Sequence, residues 1–189
     1  MKKFELTSEF CFNFLGRKLF RIKALVDIEE HGVKAGDLGG WIEKEDNLSQ
    51  SGNAWVSGDA GVSGNAYVCG NAYVCGNAYV SGNAWVSGDA GVSGDAWVSG
   101  NAWVSGNAYV CGNADYAVIK GFGTVYRTTT FFRCHDGEVR VTCGRFYGTI
   151  DEFREQVKRT RDGKVADEYL KIADLMEYHF KKEDSGENV

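Results

Sequence analysis

The side chains best suited to nucleophilic or acid–base chemistry are three histidines and six cysteines. His31, His135 and His179 all lie outside the regular repeat that occupies residues 51–114. The surrounding sequence predicts a polar loop, a hairpin tip and a helix at these three positions, so we expect surface histidines. No GxSxG, P-loop or paired-carboxylate motif accompanies them. The residues alone therefore favour a non-enzymatic protein.

The cysteines have little support as metal ligands or as disulfides. Cys69, Cys75 and Cys111 each take a position that serine holds in other units of the repeat. The repeat contains no histidine and the chain no CxxC motif, so we predict no metal and no other cofactor. The N-terminal MKKFELTSEF lacks the apolar run of a signal peptide, which predicts a cytoplasmic protein with reduced thiols.

Ten complete six-residue units follow one another from Ser51, beginning SGNAWV, SGDAGV, SGNAYV. Each has Ser or Cys, then Gly, then Asn or Asp, then Ala, a variable fifth residue and Val. Alternation along a strand directs Ala and Val to one face and the fifth residue to the other. Gly followed by Asn or Asp is typical of a turn, and ten interior glycines argue against a helix. The repeat predicts a mainly β solenoid with Ala and Val inside.

Written from its valine, the unit V-[SC]-G-[ND]-A-x resembles the hexapeptide motif of left-handed parallel β-helices. The resemblance implies that three units form one triangular coil, so residues 18 apart stack in a column. Three outward columns follow: Tyr67, Trp85 and Trp103; Gly61, Tyr79, Trp97 and Asp115; Trp55, Tyr73, Gly91 and Tyr109. Gly61 and Gly91 either allow close approach of another group or reflect drift of the repeat.

The flanking segments must close the two ends of this solenoid. We expect an N-terminal capping β segment over residues 1–40, the hexapeptide-repeat β-helix over 41–116, and a C-terminal ββαα domain over 117–189. A two-residue insertion near Ser49 and Gln50 should make the first coil irregular. The C-terminal domain should contain a hairpin of residues 125–134 and 139–143, then helices ending near 160 and 182. The last six residues should be frayed.

Charge and hydropathy exclude two classes of partner. The net charge is −5, and residues 51–114 contain no Lys or Arg and three acidic residues, Asp59, Asp89 and Asp95. Nucleic-acid binding needs a basic stripe that neither part of the chain offers. No stretch approaches 18 apolar residues, so we expect no membrane span.

A second resemblance concerns the entry to the repeat. LFRIKAL followed by GVKAGDLGGWIEKEDNLSQSGNAWV resembles hexapeptide-repeat proteins of phage and prophage genomes, and the repeat also resembles an enterobacterial family described as acyltransferases. Together these resemblances cover roughly residues 15–116. They imply the cytoplasm of a bacterial host and, by analogy, inhibition of a host defence or regulatory protein. Acyltransferases of this fold commonly use a histidine near a loop extruded from a coil, and residues 51–114 contain no such loop.

Three functions therefore remain open. The first is an interaction protein that binds a protein partner or forms a homo-oligomer through its aromatic faces, since Trp and Tyr are favoured at interfaces. The candidate partner-binding residues are Tyr67, Trp85, Trp103, Tyr79, Trp97, Tyr73 and Tyr109. The second is an acyltransferase with an acyl-CoA donor, and the third is a carbohydrate-binding module. The uninterrupted column of Tyr67, Trp85 and Trp103 is the strip we expect to be the contact surface.

Overall fold

The computed structural model describes residues 2–181. Three longer strands come first: β1 (Phe4–Phe12), β2 (Lys18–Ala24) and β3 (Leu38–Ile42). Ten two-residue strands follow: β4 (Trp55–Val56), β5 (Gly61–Val62), β6 (Tyr67–Val68), β7 (Tyr73–Val74), β8 (Tyr79–Val80), β9 (Trp85–Val86), β10 (Gly91–Val92), β11 (Trp97–Val98), β12 (Trp103–Val104) and β13 (Tyr109–Val110). The C-terminal part contains β14 (Tyr116–Phe122), β15 (Arg127–Arg133), β16 (Val139–Cys143), β17 (Phe146–Thr149), α1 (Ile150–Thr160) and α2 (Gly163–Phe180).

The short strands stack into three parallel sheets, which confirms the predicted β-solenoid and its columns. The strand orders are β3-β5-β8-β11, β4-β7-β10-β13 and β6-β9-β12, and Leu48 extends the third sheet by a bridge to Val68. Partners within the repeat are 18 residues apart, as in Trp85 opposite Trp103. The solenoid therefore makes about four turns.

Alanine and valine fill the interior, as predicted. The alanines and valines of the ten complete units are at most 1 % exposed. Their backbone groups bond the next coil: Trp85 N donates to the Ala102 carbonyl at 2.8 Å, and Ser87 N donates to the Val104 carbonyl at 3.0 Å. Every strand thus pairs with its neighbours while burying one face, which satisfies the backbone and removes apolar surface from water.

The third position of each unit forms ladders along the corners. Asn65 Nδ2 donates to Asn83 Oδ1 at 3.2 Å, and Asn83 Nδ2 donates to Asn101 Oδ1 at 3.0 Å. In another corner, Asn77 Nδ2 donates to Asp95 Oδ1 at 3.0 Å. Such bonds join side chains of successive coils, so an Asn or Asp at this position stabilises the corner as well as the turn.

The N-terminal segment closes one end of the solenoid. Strands β1 and β2 form an antiparallel hairpin, and β2 pairs with β3, which joins the solenoid by placing Trp41 opposite Gly61. That pair is 20 residues apart rather than 18, which confirms the two-residue insertion. The inserted Gln50 accepts from the Phe4 and Lys3 backbone amides through Oε1. Lys3 itself is buried and donates to the Ala54 carbonyl at 2.6 Å.

One fifth-position residue departs from the outward prediction. Trp55 is 1 % exposed and belongs to the main core cluster. Its ring lies so close to strand β3 that a Cβ on Gly39 would be 2.7 Å from ring atom Cζ2. The N-terminal segment therefore covers the first position of this column, which the repeat alone could not reveal.

The C-terminal sheet has two strands more than predicted. The expected hairpin is present as β15 and β16, but β14 and β17 flank it to give the order β14-β15-β16-β17. Strand β14 has an irregular register between Ile119 and Phe122, and β17 has four residues directly before a helix. Both features shorten or interrupt the alternation of apolar and polar residues from which a strand is predicted. The unit is ββββαα rather than ββαα.

Both predicted helices are present. Thr149 Oγ1 accepts from the Glu152 amide at 3.1 Å, which confirms the capping box at the start of α1. The buried residues of both helices pack on the sheet in a second core cluster: Ile150, Phe153, Val157, Tyr169, Ile172, Met176 and Phe180. The prediction for the last six residues lies outside the described part of the chain.

The C-terminal sheet closes the other end of the solenoid. Phe132 and Cys134 join the core cluster of repeat alanines and valines, and Ala108 forms an antiparallel bridge to Cys134. Thr142 Oγ1 also donates to the Trp103 carbonyl at 2.8 Å. In residues 2–181, neither helix has the length and hydropathy that a membrane crossing requires.

We predict that Val86→Asp abolishes folding or destabilises the protein by at least about 4 kcal/mol, because it buries an unpaired carboxylate among coils. Asn101→Asp is the matched control, since it adds the same carboxylate at an exposed corner where it can still accept from Asn83. Urea unfolding followed by circular dichroism measures both. A Val86→Asp protein with unchanged stability would contradict the inward assignment.

Candidate functional site

The outward residues of the solenoid form three faces of different character. The ridge face consists of Tyr67, Trp85 and Trp103. The groove face consists of Trp41, Gly61, Tyr79 and Trp97. The histidine face consists of Trp55, Tyr73, Gly91 and Tyr109. The structure thus places all seven predicted partner-binding residues on the solenoid surface but divides them among three faces.

In four of the outward rings, the polar atom bonds the first-position residue of the preceding coil. Trp97 Nε1 donates to Ser81 Oγ at 2.9 Å, and Trp85 Nε1 donates to Cys69 Sγ at 3.3 Å. The Tyr73 hydroxyl instead accepts from Ser57 Oγ at 2.8 Å. In each pair the residues are 16 apart in sequence. This bond gives the Ser or Cys of these units a role, and it holds the ring that makes it in one orientation.

The ridge face is open. Its rings contact one another, with centroid distances of 5.5 Å between Tyr67 and Trp85 and 6.0 Å between Trp85 and Trp103. Trp85 is 46 % exposed and Trp103 is 42 % exposed. No terminal segment in residues 2–181 stacks an aromatic ring on either tryptophan. The ridge is the continuous aromatic strip that the sequence predicted.

The groove face lies beneath the β1–β2 hairpin. Phe14 at the hairpin tip contacts Tyr79 and Trp97, with ring centroids 5.5 Å and 4.9 Å away. Asn13 Nδ2 donates to the Tyr79 hydroxyl, which also lies 2.5 Å from Ser63 Oγ. Between the hairpin and the solenoid remains a groove of about 530 Å³. The hairpin thus converts this face from a flat surface into a concave one.

The histidine face receives a histidine from each end of the chain. His31 stacks on Tyr73 at 4.6 Å, and His135 packs on Tyr109 at 4.2 Å with an interplanar angle of 31°. Gly91 lies between the two pairs, and a cleft of about 280 Å³ remains there. The expectation of ordinary surface histidines is wrong for His31, which is half-buried with its Nε2 shielded from solvent. His135 and His179 are exposed, as expected.

The histidine cleft lacks an activated nucleophile. Burial raises the pKa of the Cys75 thiol, which therefore remains protonated near neutral pH. Ser93 Oγ donates to Cys111 Sγ at 3.3 Å. Among the described residues, His31 Nε2 has no hydrogen-bond partner, and no group of three metal-ligating side chains occurs. A general base must bond its nucleophile, so this cleft gives acyl transfer no specific support.

A second groove of about 530 Å³ lies in the C-terminal unit between β16 and α2. Its two arginines already have partners. Arg154 pairs with Asp151, Asp174 and Glu177 at 2.5–2.9 Å, and Arg133 pairs with Asp115 at 3.2 Å. These ion pairs connect elements of the fold, so we assign the groove a structural role.

Comparison with protein-family models found no match, and comparison with curated proteins found no significant match. The case for function therefore rests on the chemistry of the three faces.

The two repeat glycines give a matched test of close packing. A Cβ on Gly61 would lie 2.8 Å from Tyr79 Cδ2, and the Tyr79 ring is held through its hydroxyl. A Cβ on Gly91 would lie 3.4 Å from Tyr109, an ordinary contact. We predict that Gly61→Ala destabilises the protein by about 1–3 kcal/mol, whereas Gly91→Ala changes stability by less than about 1 kcal/mol. Equal effects in urea unfolding would contradict this account of Gly61.

His31 should make stability depend on pH. Burial lowers its pKa below the ordinary value of 6.5. Below about pH 6.5 the unfolded chain therefore binds a proton at His31 more readily than the folded protein, so stability falls as pH falls through the folded-state pKa. We predict that His31→Gln removes this contribution to the loss of stability at low pH. The variant should be about 0.5–1.5 kcal/mol less stable at pH 7.5, where the stacking on Tyr73 is lost, and this deficit should shrink at pH 5.5. A deficit that is the same at both pH values would refute the assignment.

Proposed function

We propose that this is a non-enzymatic interaction protein whose ridge face binds a second copy of the chain. The observation that carries the proposal is the pair of exposed, mutually contacting tryptophans, Trp85 and Trp103, on the face that the terminal segments leave open. Exposed apolar patches of this kind typically mark protein interfaces, and Trp is the residue most enriched at interface hot spots.

The central ring of the ridge is held before any partner arrives. The Trp85 indole bonds Cys69, and its ring contacts Tyr67 on one side and Trp103 on the other. A side chain that is already fixed loses little conformational entropy on association, so more of the gain from burial appears as affinity. This supports a binding role more than a merely solvated aromatic face.

Charge favours the ridge over the other faces as a contact between copies. The corner on one side of the ridge carries the ladder Asn65, Asn83 and Asn101, and at its first coil it is bonded by one anion and one cation, Glu43 and Lys44. The corner on its other side carries one repeat carboxylate, Asp89, whose Oδ1 accepts from Asn71 Nδ2 at 2.9 Å. Asp136 also bonds this corner, and it is paired with Arg140 at 2.7 Å. Asp59 and Asp95 line the groove beside the groove face. Since each copy has a net charge of −5, docking through the ridge brings fewer repeat carboxylates together than docking through the groove face.

The shape of the ridge also suits an identical surface. A row of rings on a nearly flat face is convex at best, whereas a small ligand needs a concave site. A two-fold axis through the ridge would place Trp85 of each copy near the rings of the other, which is the self-complementary arrangement of most homodimers. The asparagine ladder would then form the polar rim around an aromatic centre.

We predict that Trp85→Ala combined with Trp103→Ala weakens self-association by at least about 100-fold, because it removes the centre of the interface. Neither side chain is in the core, so the unfolding midpoint should change little. Light scattering and sedimentation over a concentration series give the mass. Leu175→Ala with Tyr178→Ala is the matched control, since it removes exposed apolar side chains of α2 and should leave the mass unchanged.

An oligomer that keeps its mass after the double tryptophan substitution would show that the interface lies elsewhere. A wild-type protein that remains monomeric at every concentration would refute the second copy as the occupant of the ridge. In that case, loss of binding to a different protein in the same variant would be needed to retain the ridge as a docking surface.

A further inference from the structure

The groove beneath the β1–β2 hairpin is separate from the ridge, and its chemistry points to a ligand class of its own. We call it the hairpin groove and define it by Cys11, Phe14, Trp41, Asp59, Trp97 and Asp95, which line it together with Tyr79. We infer that the hairpin groove binds a positively charged group, specifically an arginine or lysine side chain of a partner peptide.

The aromatic residues of the groove provide the first part of the site. Phe14 and Trp97 meet edge to face at 4.9 Å, and Tyr79 lies 6.2 Å from Trp97. Trp97 remains 40 % exposed even though the hairpin tip contacts it. Exposed faces of Trp and Tyr attract cations through the ring quadrupole, and arginine is the cation most often found there.

The carboxylates provide the second part. Asp59, Asn77 and Asp95 follow one another along one corner and line the groove. Among the described residues, neither Asp59 nor Asp95 lies within 4.0 Å of a Lys or Arg nitrogen, and the Asp95 carboxylate accepts from Asn77. Two carboxylates beside an aromatic floor complement a cation and repel an anion.

At the Trp97 end of the groove, the remaining hydrogen-bonding atoms accept rather than donate. Asn13 uses its Nδ2 on the Tyr79 hydroxyl and its Oδ1 on the Leu15 and Arg17 amides. The Trp97 indole N–H is used on Ser81. Among the described residues, the Trp41 indole, at the end of the groove where Arg21 lies, donates no hydrogen bond within the protein. At the Trp97 end the donors have partners, so this end favours a ligand that brings several donors of its own. Guanidinium brings five and ammonium three, whereas a sugar hydroxyl must also find donors.

The protein already contains one example of the proposed contact. The Arg21 guanidinium lies over the Trp41 ring, with Cζ 4.9 Å from the centroid. Trp41 belongs to the same column as Tyr79 and Trp97 and lines one end of the groove. Arg21 is the basic residue on this side of the hairpin, whereas Lys18 lies over Phe10 and Phe20. A partner's arginine on Trp97 would repeat the Arg21 contact at the other end.

The test titrates the full chain with acetyl-Gly-Arg-Gly-amide and with the same peptide carrying citrulline, a neutral isostere of arginine. The five Trp indole N–H signals are followed by ¹H–¹⁵N NMR, and the Trp97 signal is assigned with Trp97→Phe. We expect the arginine peptide to shift the Trp97 signal at millimolar concentration and to bind at least about 10-fold more tightly than the citrulline peptide. Its affinity should fall as salt is added.

Substitutions of aspartate by asparagine test which carboxylates attract the cation. Asp59→Asn combined with Asp95→Asn should lower the affinity for the arginine peptide by at least about 10-fold, because each change keeps the side-chain shape and removes one charge. Asp89→Asn is the matched control, since it makes the same change at the same repeat position outside the groove. It should alter the affinity by less than about twofold. The unfolding midpoint of each variant shows that the fold is retained.

Three results would overturn the inference: equal binding of both peptides, shifts confined to Trp85 and Trp103, or no shift at about 10 mM peptide. Tighter binding of maltotriose than of the arginine peptide at Trp97 would assign the groove to a neutral sugar instead. None of these results depends on whether the ridge holds a second copy. The ridge experiment measures molecular mass, whereas this experiment measures the NMR signal of the Trp97 indole.

Discussion

Most corners of the solenoid require a backbone that bends to positive φ while lying directly against the corner of the next coil. Gly70 has φ of +71°, and a Cβ there would be 2.9 Å from the Gly88 nitrogen; Gly82 is placed in the same way against Gly100. Only glycine satisfies both the dihedral angle and the distance. The sheet pairing, the asparagine ladders and the contacts between outward rings all depend on coils approaching this closely. The glycine at the second position therefore permits the contacts that the other positions make.

The periodic part of the fold could be predicted from sequence because its determinants are local. The alternation of Ala and Val, the glycine corners and the 18-residue columns all follow from one unit and its neighbours, and the structure confirms them. The faces could not be assigned in the same way, because their coverings come from distant residues. His31 and Tyr73 are brought together by the N-terminal loop, and His135 reaches Tyr109 from a hairpin tip. Gly61 and Gly91 were the local signals of close approach, and the sequence left their meaning open.

The bonds from ring tips to first-position residues explain a substitution pattern that the sequence shows without a reason. Either serine or cysteine occupies this position, and both can accept a hydrogen bond from an indole: Ser81 accepts from Trp97 and Cys69 accepts from Trp85. An alanine there would leave the ring without its partner and free to rotate. The same bond therefore contributes to stability and fixes the orientation of Tyr73, Tyr79, Trp85 and Trp97, so these four rings are rigid elements of the scaffold.

The terminal segments close the solenoid and also give each face its own chemistry. The hairpin makes the groove face concave beside Asp59 and Asp95, and His31 and His135 pack on Tyr73 and Tyr109 of the third face. The ridge keeps three contacting rings, with no terminal ring stacked on Trp85 or Trp103 in residues 2–181. Because the faces belong to different sides of one coil, a contact on the ridge leaves the hairpin groove accessible. A ridge-mediated pair would thus present two hairpin grooves on one rigid body. A cationic partner with two suitably spaced arginines could engage both, and its second contact would form at the high effective concentration that a fixed spacing provides. The weak affinity of a single groove for one side chain is then compatible with tight and specific binding of a whole partner.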